Sequence, residues 1–194
     1  RIPGHRLLHS PGPTRLPDEV LHAMSRQPVD LADARLDATI ADCEAGLKRL
    51  LHTQADVLMY TANGHGAWEA VVVNLLAPGR RALIPGTGHF SESWALQTEA
   101  LGGSVVRTPW HEGQPIDTQA VEQVLREDRQ QRIVAVFAVH TDTASGVTSD
   151  LAALRAAIDA AGHPALFVVD VVASLGVVPF DMDALRADVV IGAS

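Results

Sequence analysis

Residues 133–170, IVAVFAVHTDTASGVTSDLAALRAAIDAAGHPALFVVD, decide the fold. Ile133 to Val139 is an unbroken apolar run of strand length, and apolar character without alternation means burial on both faces, the mark of a parallel sheet covered by helices. Ser149 or Asp150 caps a helix running to Ala161, Gly162 ends it, and Leu166 to Val169 form a second strand that finishes in Asp170.

The same alternation extends toward the N-terminus. Residues 57–60 read as a strand, 63–66 as a turn, 67–76 as a helix stopped by Pro78-Gly79, and 82–84 as a strand. A helix over 90–101 ends at Gly102-Gly103, a strand covers 104–107, and a helix over 117–128 turns Val121, Val124 and Leu125 inward. Leu36, Ile40, Cys43, Leu47 and Leu50 recur at helical spacing and predict an amphipathic helix from Asp33 onward. Pro11-Gly12-Pro13 excludes regular structure near the start. The expectation is an N-terminal arm over 1–20 and one α/β domain over 21–194, with a mostly parallel sheet. The chain reads as cut short, because it stops just after an apolar strand-like run with no closing helix.

Composition narrows the functions. Hydrophobic residues make up 47% and charged residues 20%, ordinary globular usage. No apolar run approaches the roughly 20 residues needed to span a bilayer, so no membrane association is expected. The formal net charge of -8 has the wrong sign for wrapping nucleic acid. Cys43 is the only cysteine, which removes internal disulfides and thiolate clusters and fits a cytoplasmic location. The histidines show no His-Glu-x-x-His pattern, so no metal site is expected, and the nucleophile elbow Gly-x-Ser-x-Gly is absent.

In open α/β sheets, ligands bind beyond the carboxyl ends of the strands, and four segments fall there. Asn63-Gly64-His65-Gly66 opens a helix whose first amides could cradle a phosphate, or is a tight packing turn only. Asp170 stands among apolar neighbours, a costly place for a charge unless a cation or several donors meet it, although strand-end Asp residues also cap turns. Thr143, in the polar loop after Val139, could bind a phenolic oxygen or a substrate, or belong to a capping turn. Phe90 follows Gly86-Thr87-Gly88-His89 and could stack on a planar ring or enter the core.

Taken in order, Pro11-Gly12-Pro13-Thr14, Asn63 to Ala70, Thr87 to Phe90, His140 to Val147, Ala157 to Asp170 and Ser174-Leu175-Gly176 resemble the fold-type I, class V aminotransferases, most closely their serine-glyoxylate and alanine-glyoxylate branch. The resemblance implies the large domain of that fold, ending before a small C-terminal domain, and pyridoxal 5'-phosphate as cofactor. It implies transfer of an amino group from serine or alanine to a 2-oxo acid such as glyoxylate or pyruvate, in a homodimer. Asp170 matches the carboxylate that keeps the cofactor's ring nitrogen protonated, and is the candidate catalytic residue. Asn63, Gly64 and His65 match the phosphate-binding turn, Phe90 and Val172 the residues on the two ring faces, and Thr143 the hydroxyl near the ring oxygen. Pro11, Gly12 and Pro13 match the arm beside the substrate. The family's cofactor-bearing lysine, which follows a Ser-Gln pair, is absent. Lys48, the only lysine, lies in the amphipathic helix. The family's His-Asn-Glu-Thr-Ser-Thr reads His140-Thr141-Asp142-Thr143-Ala144-Ser145 here, which leaves the donor open between serine and alanine. A class V lyase or desulfurase, and a non-catalytic scaffold if the chain is complete, are the alternatives.

Overall fold

The computed structural model describes residues 8–193. The chain divides into two compact units, Arg1–Gly46 and Leu47–Ser194. The first contains α1 (Asp18–Met24) and most of α2 (Ala34–Leu51). Neither helix has a buried residue, so the predicted apolar stripe of α2 forms but is not enclosed.

The second unit holds a five-stranded sheet in the order β2-β1-β3-β6-β7, with every pairing parallel. Its strands are β1 (Arg81–Ile84), β2 (Ser104–Arg107), β3 (Ile133–Val139), β6 (Leu166–Asp170) and β7 (Val189–Ile191). Between them run α3 (Gly64–Leu75) before β1, α4 (His89–Ala100), α5 (Thr118–Glu127), α6 (Leu151–Ala161) and the short α7 (Met182–Leu185). A small antiparallel hairpin, β4 (Thr141–Asp142) with β5 (Val147–Thr148), follows β3.

The strands are apolar throughout because helices cover both faces. Ala82, Ile84, Ala135, Phe137, Val139 and Val168 pack with Trp68, Val72 and Trp94 of α3 and α4. Their neighbours Leu83, Val136, Ala138, Phe167 and Val169 turn the other way and pack with Val121, Leu125, Leu154 and Ile158 of α5 and α6. This alternation within each strand is the period of two that a pleated backbone imposes. The helix ends are closed by side chains: Asp117 accepts from the amides of Gln119 and Ala120, and Asp150 from that of Ala153. Of the two residues that could cap α6, Asp150 does so, while Ser149 Oγ accepts from Ile116 N. Gly162 ends α6 in the left-handed conformation, at φ 62°.

Residues 57–60 were expected as a strand and do not pair with one among the described residues; Leu58, Met59 and Tyr60 are exposed. A β-prone run becomes a strand only against an available edge, which residue preference cannot supply. No described helix is long and apolar enough to cross a membrane.

The chain steps from β1 outward to β2, then returns across β1 to β3 and continues outward through β6 and β7. The direction of travel therefore reverses between β1 and β3. At such a switch the loops leaving the two strands part and open a crevice above the carboxyl ends.

Candidate active site at the sheet's switch point

Phe90 follows β1, Thr143 follows β3 and Asp170 ends β6, so three of the expected residues stand at the carboxyl ends of the strands beside this switch. The fourth wall is the N-terminus of α3. Asn63 caps it, with Oδ1 accepting from Gly66 N at 3.1 Å, and its carbonyl accepts from Ala67 N at 3.2 Å. The amides of Gly64 and His65, which no carbonyl of their own helix can reach, are left for another acceptor. A side chain at Gly64 would come within 3.2 Å of Val172 Cγ2, so the turn and the residue after β6 lie against one another. Val172 itself is 40% exposed, an apolar side chain at the open end of the sheet.

Asp170 is 5% exposed. Its Oδ2 accepts from the indole Nε1 of Trp68 at 2.7 Å and its Oδ1 from Val172 N at 2.8 Å. Burial pushes this carboxyl above the usual carboxylate range, the two N–H donors and His65 pull it back, and the charge of Asp142 adds to the upward push. No salt bridge to Asp170 forms among the described residues. The hydrogen bonds that hold the carboxylate thus come from neutral donors.

Asp142 is fully buried and ties the two sides of the crevice together. Oδ2 accepts from Phe90 N at 2.8 Å, and Oδ1 from Ala144 N at 2.9 Å. Gly88, the N-cap of α4, has no side chain to cap with, and Asp142 supplies the acceptor from across the sheet. The glycine is required twice over: φ is 142°, and a Cβ would stand 3.0 Å from Asp142 Oδ2. Ser91 Oγ completes the turn by accepting from Thr87 N at 2.9 Å. This one carboxylate holds the amide of Phe90 itself and that of Ala144, the residue after Thr143.

His140 is buried beside Asp170. Its backbone amide donates to the Asp170 carbonyl at 3.0 Å, and its Nδ1 shares a 2.8 Å hydrogen bond with Ser174 Oγ. Burial lowers its pKa, which favours the neutral imidazole. His65 is exposed, with its ring 4.6 Å from that of Trp68. Pro11, Gly12 and Pro13 are exposed in the first unit, in a turn where Ser10 Oγ donates to the Gly12 carbonyl. Sequence reading did not single out Trp68 or Asp142. Trp68 follows Gly64 by four residues, one helical turn, and that spacing was the available signal.

A parallel sheet with this switch point and a buried strand-end Asp is the architecture of the fold-type I pyridoxal-phosphate aminotransferases. The chain belongs to the class V aminotransferase family: the family model described as Aminotransferase class-V matches residues 6–194. It is 38% identical over 187 residues to the L-aspartate–glyoxylate aminotransferase of Paracoccus denitrificans, covering 95% of this chain and 47% of that protein. It is 38% identical over 195 residues to the serine–glyoxylate aminotransferase of Methylorubrum extorquens, covering 100% of this chain and 48% of that protein. The crystal structure of a ureidoglycine-glyoxylate aminotransferase from Bacillus subtilis superposes with a TM-score of 0.85 at 26% identity, over 99% of this chain and 49% of that one. The chain thus spans about half the length of the relatives it matches.

Two outcomes follow from this geometry. Asp142→Ala strands the amides of Phe90 and Ala144 and should lower stability by about 2 kcal/mol in chemical denaturation, more than loss of the exposed cap in Asp150→Ala. Because the raised Asp170 carboxyl binds its proton more tightly folded than unfolded, stability without cofactor falls as pH rises from the ordinary 3.8 through the folded value. Denaturation curves at a series of pH values should show that falling limb, and Asp170→Asn should flatten it.

Proposed function

We propose that the protein is a pyridoxal-phosphate transaminase that moves an amino group from a small amino acid, serine or alanine, to a 2-oxo acid such as glyoxylate or pyruvate, and that this chain supplies the cofactor cradle. The observation that carries the reading is Asp170, a buried carboxylate at the end of β6 fixed by two neutral N–H donors. A protonated pyridine nitrogen would pair with a carboxylate held in this way. The other residues fit the same group. Gly64 and His65 offer free amides at the positive end of α3 to a phosphate, with the side chain of Asn63 holding the turn. Phe90 and Val172 offer apolar surfaces to the two faces of a flat ring, and Thr143 offers a hydroxyl to its oxygen.

When bound, pyridoxal phosphate serves as an electron sink for the amino acid's α-carbon. The protein's part would be electrostatic: Asp170 would pair with the ring nitrogen and favour a proton there. His140, neutral and tied to Ser174, adds no competing charge beside it. The names of the relatives support glyoxylate as acceptor. A lyase or desulfurase would use the same cradle; the glyoxylate aminotransferases at 38% identity favour amino transfer.

We place the protein in the cytoplasm as a homodimer, without nucleic-acid or membrane partners. The lone exposed Cys43, the net charge of -8 and the exposed Val20, Leu21, Met24, Leu31 and Ile40 support this, the last group as apolar surface available to a second copy. Light scattering on the whole protein should return twice the protomer mass; a monomer would contradict the dimer. The whole protein should form glyoxylate-dependent amino-transfer product from serine or alanine. Asp170→Ala should cut the rate by about a hundred- to a thousandfold. Full activity in that variant, or no transfer from any small amino acid, would refute the proposal.

A further inference from the structure

The aromatic residues are few, yet Trp68, Phe90, Trp94 and Phe137 gather in one cluster behind Asp170. Trp94 lies face to face with Phe137, with centroids 4.7 Å apart and planes 14° apart. Trp68 lies on Trp94 at 5.1 Å and 6°. Trp68 is 2% exposed and Trp94 and Phe137 are fully enclosed. The stack is rooted in the central strand β3 and ends in an indole whose N–H points at a carboxylate.

Such an indole has no freedom to turn. Its N–H fixes Oδ2 of Asp170 while the amide of Val172 fixes Oδ1, so the carboxylate plane is set by donors from two different elements, α3 and the turn after β6. Both donors are neutral. They favour the ionised carboxylate without giving it a proton or cancelling its charge, which leaves the charge for a cationic partner.

Resting on the cofactor reading above, we propose that Trp68 is the positioning residue of this site: its indole N–H, aimed by the Trp68–Trp94–Phe137 stack, orients Asp170 and keeps it ionised for the cofactor's ring nitrogen. Trp68 touches Asp170 and acts through it.

The stack contains its own control. Trp94 Nε1 is buried and has no hydrogen-bond partner among the described residues. Trp68→Phe and Trp94→Phe therefore remove the same atoms from the same stack, and only the first removes a donor from Asp170. Pyridoxal-phosphate affinity is measured on the whole protein by equilibrium dialysis, across a pH series. Trp68→Phe should bind about tenfold more weakly than Trp94→Phe, the effect expected for one hydrogen bond to a charged group. Losing the donor also raises the Asp170 pKa further. As pH falls, Trp68→Phe should therefore release cofactor at a higher pH than either wild type or Trp94→Phe.

The contact is read independently of cofactor by ¹⁵N NMR. The indole resonance that vanishes in Trp68→Phe should titrate with pH in the cofactor-free protein, and should shift and cease to titrate in Asp170→Asn. Equal losses of affinity and unchanged pH profiles in the two Trp variants, with wild type binding normally, overturn the role of Trp68 alone. An indole signal indifferent to Asp170→Asn overturns the contact. Wild type that retains no cofactor, while the indole still follows Asp170, overturns the cofactor reading and this role with it.

Discussion

A negative charge enclosed at the end of β6 is the constraint on which the site depends. An ionised carboxylate in an apolar surrounding is stable only when its lone pairs and its charge are both met. The lone pairs of Asp170 are met by Trp68 and Val172; the charge is not met by any salt bridge among the described residues. Burial is the main cause of the raised Asp170 pKa, and a carboxyl perturbed in this way at a strand end marks a candidate functional site.

The surrounding structure serves to hold this carboxylate opposite a crevice. The reversal of direction between β1 and β3 opens the space, and the parallel sheet brings β1, β3 and β6 to it by the same end. Cross-links then fix the walls. Trp68 joins α3 to β6, Asp142 joins the β3 loop to α4, and the His140 amide joins β3 to the Asp170 carbonyl. Each link uses a polar group with little or no exposure to water, where a satisfied hydrogen bond counts for more and an unsatisfied one is costly. Such walls would suit the proposed task of presenting fixed charges and amides to a flat, anionic cofactor.

Much of this was legible in the sequence, for definite reasons. Apolar runs that do not alternate identify β3 and β6 because both their faces are covered, and Asp170 stands out because it breaks such a run. Asn63 to Gly66 read as the turn ahead of a helix starting at Ala67, and the helix instead begins inside that turn, at Gly64, because Asn63 caps it. What the sequence hid was long-range. Trp68 lies 102 residues from Asp170, and Phe90 lies 52 from Asp142, so neither hydrogen bond has a local pattern. Asp142 reads as a loop residue because the helix it caps begins far away in the chain. Residues 57–60 have strand composition without a strand's partner, and the amphipathic spacing of α2 forecasts a helix but not whether anything covers its apolar side.

The central claim is that Asp170 maintains a proton on the cofactor's ring nitrogen. ¹⁵N NMR of the whole protein loaded with ring-labelled pyridoxal phosphate tests it directly. A chemical shift in the protonated range through neutral pH, lost in Asp170→Asn, is the predicted result; an unprotonated nitrogen in the wild type at neutral pH would contradict it.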